Sequence, residues 1–262
     1  FLRLLRERCR KCKVMKKIIL ICDTPLRKYD MRLGPAWQSW LYKYLPDDEV
    51  IRLHDASLNP FSIGVYQENE RLIFEVNALN YHYGELFEKV LMNSAMSSIQ
   101  FESWQDKKFN IQEKRIVTFN SQQLKNVFYS EKSISKFDIY IKTPIAFMQE
   151  GKYINLPNIE LMFRNILSKY NYAFEDTLKV DNDLLNQIVT NTYIGKYDLY
   201  SRYFPIHKVY IPSFNGNFRI LVKGNDTIKN YIEMLLRFAE FSGIGIKTSM
   251  GMGKIIVKGE EK

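Results

Sequence analysis

Gly243-Ile-Gly245-Ile-Lys247-Thr248-Ser249-Met250-Gly251-Met252-Gly253 puts four glycines into eleven residues. Glycine reaches positive φ without steric penalty and lets a neighbour approach the main chain, so such a loop is able to aim backbone N–H groups at a phosphate. Lys247, Thr248 and Ser249 add a cation and two hydroxyls at its tip. A helix precedes the loop: Asn225-Asp-Thr227 is a capping sequence, and Ile228, Ile232, Leu235, Leu236 and Ala239 fall on one helical face. A strand over residues 254–258 follows it. Nucleotide loops of the P-loop and dinucleotide type run the other way, from strand to helix. Neither G-x-x-x-x-G-K-[ST] nor G-x-G-x-x-G can be read here, which disfavours ATP and NAD. The same residues also read as a helix C-cap at Gly243 followed by a glycine-rich turn.

Working back from the loop, residues 209–211 and 218–222 are β-rich runs around Phe214-Asn-Gly-Asn217, where Asn215-Gly216 signals a hairpin turn. Residues 171–191 are polar and irregular in pattern. Pro157 opens a helix through Leu167, and residues 137–142 alternate as a strand. The first half has the same order. A strand over 16–22 leads to a helix over 36–45 with Trp37, Trp40, Leu41 and Tyr44 at helical spacing, which Pro46-Asp47-Asp48 ends. Runs at 61–66 and 71–76 form a hairpin around Gln67-Glu-Asn-Glu70. A helix over 85–96 and a strand over 114–119 complete the half. Each half is therefore β-α-β-β-α-β, and the chain is expected to be α+β, two tandem ferredoxin-like (RRM-like) domains with a C-terminal glycine-rich loop. The boundaries follow the dilution of pattern near 120–135: a basic extension over 1–14, an N-terminal domain over 15–125 and a C-terminal domain over 126–262.

Composition narrows the class. Hydrophobic residues make up 46% of the 262 and aromatics 14%, enough for packed cores without disulfides or metal. Three cysteines, Cys9, Cys12 and Cys22, make a disulfide framework improbable and point to a reducing, cytoplasmic setting. Cys9-Arg-Lys-Cys12 lacks the second pair that a zinc site needs, and no metal or other cofactor is expected. The apolar run Ile18–Cys22 stops at Asp23, too short for a membrane span. Residues 1–17 hold eight Lys and Arg against Glu7 and so account for most of the +9 net charge; a basic arm attracts phosphates.

A G-x-G-x(5)-G-x-G loop between last helix and last strand, on two ferredoxin-like units, resembles the CRISPR repeat-processing endoribonucleases, the Cas-six family of the RAMP superfamily. Three further stretches agree: Leu53-His54-Asp55 with Asn59-Pro60-Phe61, the Thr143-Pro144 step, and Tyr203-Phe204-Pro205-Ile206-His207 running to Ile211-Pro212-Ser213-Phe214. In detail the set looks most like members serving type III-A systems. The resemblance implies RNA cleavage without metal, in which the 2′-OH attacks the adjacent phosphate and leaves a 5′-hydroxyl and a 2′,3′-cyclic phosphate or 3′-phosphate. It places the catalytic histidine at His54, which follows the first helix, and a supporting tyrosine at Tyr42. Asn59 stands near the place of a lysine found in many relatives and supplies no cation; Arg52 or Lys247 takes that task, or histidine and RNA positioning suffice. Of the other histidines, His82 reads as a loop residue before a helix, and His207 as an RNA-contact or structural residue.

RNA contacts are expected from the loop (Gly243, Gly245, Lys247, Thr248, Ser249, Gly251, Gly253), from Arg52 and Asn59, and from Arg202, His207 and Lys208, where basic residues interleave with aromatics able to stack bases. The implied partners are precursor CRISPR RNA repeats, the mature guide RNA and subunits of a type III effector complex, with no membrane and a monomer or homodimer. A non-catalytic RNA-binding subunit of such a complex is the alternative, because the same fold serves there as scaffold. The acidic run Asp47-Asp48-Glu49 reads as a solvated helix end, which disfavours a metal-dependent nuclease.

Overall fold

A computed structural model describes residues 14–26, 28–175 and 177–260. The basic extension and the Cys9/Cys12 pair lie outside the described residues, apart from Val14. In the first half β1 (Val14–Asp23) leads to α1 (Leu33–Tyr42), α2 (Asp47–Asp55), the β2–β3 hairpin (Phe61–Glu68, Arg71–Ala78), α3 (Tyr81–Leu91), β4 (Ser98–Gln100) and β5 (Lys108–Asn120). Helix α4 (Ser121–Phe128), opened by an Asn120/Gln123 capping box, leads to the second half. There follow β6 (Lys136–Ile141), the small hairpin β7–β8 (Phe147–Gln149, Lys152–Ile154), α5 (Ile159–Glu175), α6 (Asn182–Asn191), β9 (Thr192–Ile206), β10 (Val209–Val222), α7 (Asp226–Ser242) and β11 (Ile255–Gly259). The sheets run β2-β3-β1-β5-β4 and β11-β6-β10-β9, all neighbours antiparallel. That is the ferredoxin-like strand order twice, with β4 added at one edge. Among the described residues no helix is long and apolar enough to cross a membrane.

The structure differs from the sequence reading at several elements: the helix read over 85–96 is α3, Tyr81–Leu91, and the segment near 120–135 holds α4. Pro46-Asp47-Asp48 does not end the first helix region; it begins α2, where Asp47, Asp48 and Glu49 sit in the first turn against the positive end of the helix dipole. Residues 171–191 are largely helical: α5 runs on to Glu175, and Asp181 caps α6 by accepting from Asp183 N at 2.9 Å and Leu184 N at 3.2 Å while Leu185 and Ile188 are buried. Asn215-Gly216 is not a turn but the middle of β10, paired with Tyr200 and Leu199 of β9. Glycine is needed there because the backbone takes φ +120° and a Cβ would meet Asp198 O at 2.1 Å. The chain reverses instead at His207-Lys208.

Each unit has its own core: Trp37, Phe61, Phe74, Phe87 and Phe109 in the first, Phe137, Phe163, Phe218, Leu235 and Phe238 in the second. The halves are tied by polar contacts. Ser62 Oγ donates to Phe241 O and accepts from Asn77 Nδ2 at 3.1 Å, while Phe119 stacks on Phe241 with centroids 4.6 Å apart. Lys254, beside the loop, forms a buried ion pair with Glu75 of β3, whose other oxygen accepts from Tyr66 Oη at 3.2 Å; Lys17 lies 3.7 Å from Glu75. Burial would raise the Glu75 carboxyl, but the Lys254 and Lys17 ammoniums hold it below the usual carboxylate range.

A carboxyl depressed in the folded state contributes stability above its unfolded pKa of about 4.3, and loses it as pH falls through the folded value. The urea midpoint is therefore expected to drop on acidification below about pH 4. Glu75→Gln, which strands a buried ammonium, is expected to cost about 3–5 kcal/mol at pH 7 and to flatten that acid limb. Unfolding curves of both proteins at pH 3–7 check this.

Candidate active site

The glycine loop is braced from within. Gly243 ends α7 at φ +67°, and its N–H donates to Ala239 O at 2.9 Å. Ile244 N donates to Gly253 O at 2.9 Å and closes the neck of the loop, while Ile246 N reaches Ala146 O at 3.0 Å. Lys247, left-handed and exposed, opens a single 3-10 turn, Thr248–Met250. Its carbonyl accepts from Met250 N at 2.9 Å and Met252 N at 3.3 Å. Met252 is fully buried in a small cluster with Ala146, Phe204, Ile206 and Ile211. Many loop amides are thus engaged by the protein's own oxygens, so the loop is a rigid junction more than an open cradle.

From the far side, α5 grips the loop with two side chains one turn apart. Asn165 Oδ1 accepts from Gly245 N at 2.9 Å, and buried Lys169 Nζ donates to Ser242 O, Gly243 O, Gly245 O and Thr248 Oγ1 at 3.2, 3.0, 3.5 and 3.3 Å. The near side meets the first half. Gly34, in the first turn of α1, lies so close that a Cβ on Gly251 (φ +97°) would stand 2.8 Å from its Cα. Asn59 Nδ2 donates to Ser249 Oγ at 2.9 Å; Gln38 Nε2 lies 3.5 Å from the same oxygen and donates to Tyr42 Oη at 3.1 Å. Burial raises the Tyr42 hydroxyl above its ordinary pKa, against the Gln38 hydrogen bond, so it stays protonated at neutral pH. The edge of one ring then meets the face of the other between Tyr42 and His54, with centroids 5.6 Å apart and planes at 89°. His54 sits in the last turn of α2 and is exposed.

The fold therefore brings Tyr42, His54, Asn59 and Ser249 together from three segments of the chain. The expectation that both loop hydroxyls stand at its tip is corrected: Thr248 and Ser249 are buried, and their oxygens are bonded inward to Lys169 and to Asn59. Arg52 is exposed and paired with Glu49 at 3.0 Å and Asp48 at 3.6 Å. Glu49 is not solvated. It is buried, accepts from Tyr83 Oη at 2.8 Å and lies 3.0 Å from His82 Nε2, which fastens α2 to α3; His82 belongs to α3 and not to a loop. Arg202, His207 and Lys208 lie on the β9–β10 hairpin, with Arg202 over the Tyr200 ring at 5.0 Å. His207 lines a cavity of about 380 Å³ with Arg32, Trp40, Lys43 and Trp104, a wall that does not include His54.

Gln38, Asn165 and Lys169 were not singled out from the sequence. A signal existed for two of them. Gln38 stands four residues before Tyr42 on one helical face, and Lys169 falls on the apolar stripe Met162, Ile166 and Ala173, where a lysine has to find partners or lose its charge.

Two ferredoxin-like units meet at the glycine loop, and an exposed imidazole stands against Tyr42 beside the contacts that Gln38 and Asn59 make with that loop. Solved structures share the fold. A Cas6 in product complex superposes with a TM-score of 0.73 at 18% identity, covering 95% of this chain and all of that one. A Thermus thermophilus Cas6 gives 0.66 at 17% identity, covering 94% and 99%. A RAMP protein described as binding different RNA substrates gives 0.56 at 11%, covering 94% and 99%. The model of the family described as CRISPR-associated endoribonuclease Cas6 matches residues 139–255. The Cas6 endoribonuclease of Streptococcus thermophilus is 32% identical over 224 residues, 85% of this chain and 90% of that protein. That of Mycobacterium tuberculosis is 28% identical over 243 residues, 92% and 77%. The chain belongs to the CRISPR-associated endoribonuclease Cas6 family.

Proposed function

We propose that this protein cuts precursor CRISPR RNA once within each repeat, using the substrate's own 2′-OH as nucleophile and His54 to move the proton. The observation that carries the reading is the placement of His54: an exposed imidazole whose neighbour, Tyr42, is linked through Gln38 to Ser249 of the glycine loop. An imidazole is able to accept the 2′-proton or to protonate the departing 5′-oxygen. The 2′-oxygen attacks phosphorus as the bond to the 5′-oxygen breaks, leaving a 2′,3′-cyclic phosphate and a 5′-hydroxyl. The nucleophile is internal to the RNA, so holding the ribose and phosphate in line supplies much of the acceleration. Lys247, exposed at the head of the loop's 3-10 turn, is the cation expected to meet the phosphate, since Arg52 is already paired with Glu49. The RNA is expected to continue along the β9–β10 hairpin, where Arg202, Tyr203, His207, Lys208 and Tyr210 offer cations and stacking rings. The product would pass as a guide to an effector complex.

Labelled repeat RNA incubated with the protein in excess chelator tests this. A single cut with the stated ends is expected; a repeat that is bound tightly and left whole would favour an RNA-binding scaffold subunit. Tyr42→Phe keeps the ring contact and removes only the Gln38 hydrogen bond, a change of about 0.5–1.5 kcal/mol. Its single-turnover rate is expected to fall by roughly 2- to 10-fold.

A further inference from the structure

Lys169 is 2% exposed, and its four contacts are all oxygens of the loop region: three carbonyls and the Thr248 hydroxyl, at 3.0–3.5 Å. The surrounding stripe of α5 is apolar, with Met162, Phe163, Ile166 and Ala173 buried. Packing alone would be served better by a methionine here, since an ammonium is taken out of water at a large desolvation cost. Burial pushes its pKa down to about 7. The charge has one evident use. Ser242 O and Gly243 O lie at the C-terminus of α7, where carbonyls lack helical partners and the helix dipole favours a cation. Gly245 O and Thr248 Oγ1 come from further along the loop, so a single ammonium gathers the helix end and the 3-10 turn around one point. Asn165, one turn earlier on α5, holds Gly245 N. The residue after Thr248 is Ser249, which meets Asn59 and Gln38, and Gln38 meets Tyr42.

We infer that Lys169 is a positioning residue for RNA cleavage: its ammonium fixes the glycine loop from behind, so that Ser249 holds Gln38 and Asn59 and the Tyr42–His54 pair stands in register with the bound strand. The inference rests on the proposed role of His54 only in naming what is positioned. A group that acts on geometry should alter the rate of the bound complex more than the affinity, because a displacement of about 1 Å at reacting atoms costs up to about 100-fold.

The test compares wild type, Lys169→Met, Thr248→Val and the double variant, with His54→Ala in parallel. Three quantities are measured: the single-turnover cleavage rate at saturating protein, the Kd for a repeat carrying a 2′-deoxy cut site, and the melting temperature. Lys169→Met is expected to fold and bind within about threefold of wild type and to cleave roughly 10- to 100-fold more slowly. Thr248→Val, nearly isosteric, should lose rate in the same direction by less, and the double variant should be no worse than Lys169→Met, since the Lys169–Thr248 contact is already absent from Lys169→Met. Folded Lys169→Met cleaving at the wild-type rate, or a loss residing wholly in Kd, overturns the inference. Should Lys169→Met fail to fold, Thr248→Val decides alone: a slower bound complex supports the role and an unchanged rate overturns it. Cleavage undiminished in His54→Ala would instead refute the proposed proton transfer, and leaves the Lys169 comparison readable.

Discussion

His54→Ala is expected to slow single-turnover cleavage of a CRISPR repeat by about 10²- to 10⁴-fold, the range in which a positioned proton-transfer group acts. Affinity for the repeat should change by no more than a few fold. The two expectations separate because of where the side chain lies. His54 is exposed at the end of α2, and its described contact is the ring of Tyr42, so its loss removes no buried apolar packing and leaves no buried donor orphaned. Surface substitutions of that kind usually alter stability by less than about 0.5 kcal/mol. Meanwhile the junction of Gln38, Asn59 and Ser249 is made without the imidazole and should persist. Product formation followed on gels at enzyme excess, beside urea unfolding of the same preparation, checks both parts. A variant that cleaves within threefold of wild type would assign the proton to another group.

Much of this arrangement is legible in the sequence, for reasons that can be named. The order of strands and helices follows from periodicity and caps: Asn225 does accept from Ile228 N at 3.0 Å, and the Ile228–Ala239 face does turn into the core. The place of the glycine loop, after the last helix and before the last strand, needs nothing more. Elsewhere a local signal supports two structures and tertiary contacts choose between them. Pro-Asp-Asp stops one helix as readily as it starts another, and the choice here depends on Glu49 finding Tyr83 and His82, which lie 34 and 33 residues further on. Asn-Gly favours a hairpin turn in isolation, yet β9 extends past it, and glycine's freedom serves close strand approach instead.

Side-chain destinations are the least local property of all. Thr248 and Ser249 look like tip hydroxyls until α5 and α1 are packed on either side of them. Lys169 looks like a surface lysine unless its place on an apolar stripe is noticed, and even then the sequence does not say that four loop oxygens await it. The same limit applies to the Glu75–Lys254 pair, whose members are 179 residues apart. The convergence of Tyr42, Asn59 and Ser249, with His54 against Tyr42, emerges only when both units are in place.

The source of the nucleophile decides the mechanism. A repeat RNA carrying a single 2′-deoxyribose on the 5′ side of the cut position puts it to the test, with binding and cleavage measured on the same samples. Internal attack predicts that the substituted strand binds as the unmodified one does and stays whole at that phosphate. Undiminished cutting there would mean that the attacking oxygen is not the RNA's own, and the account of His54 would fall with it.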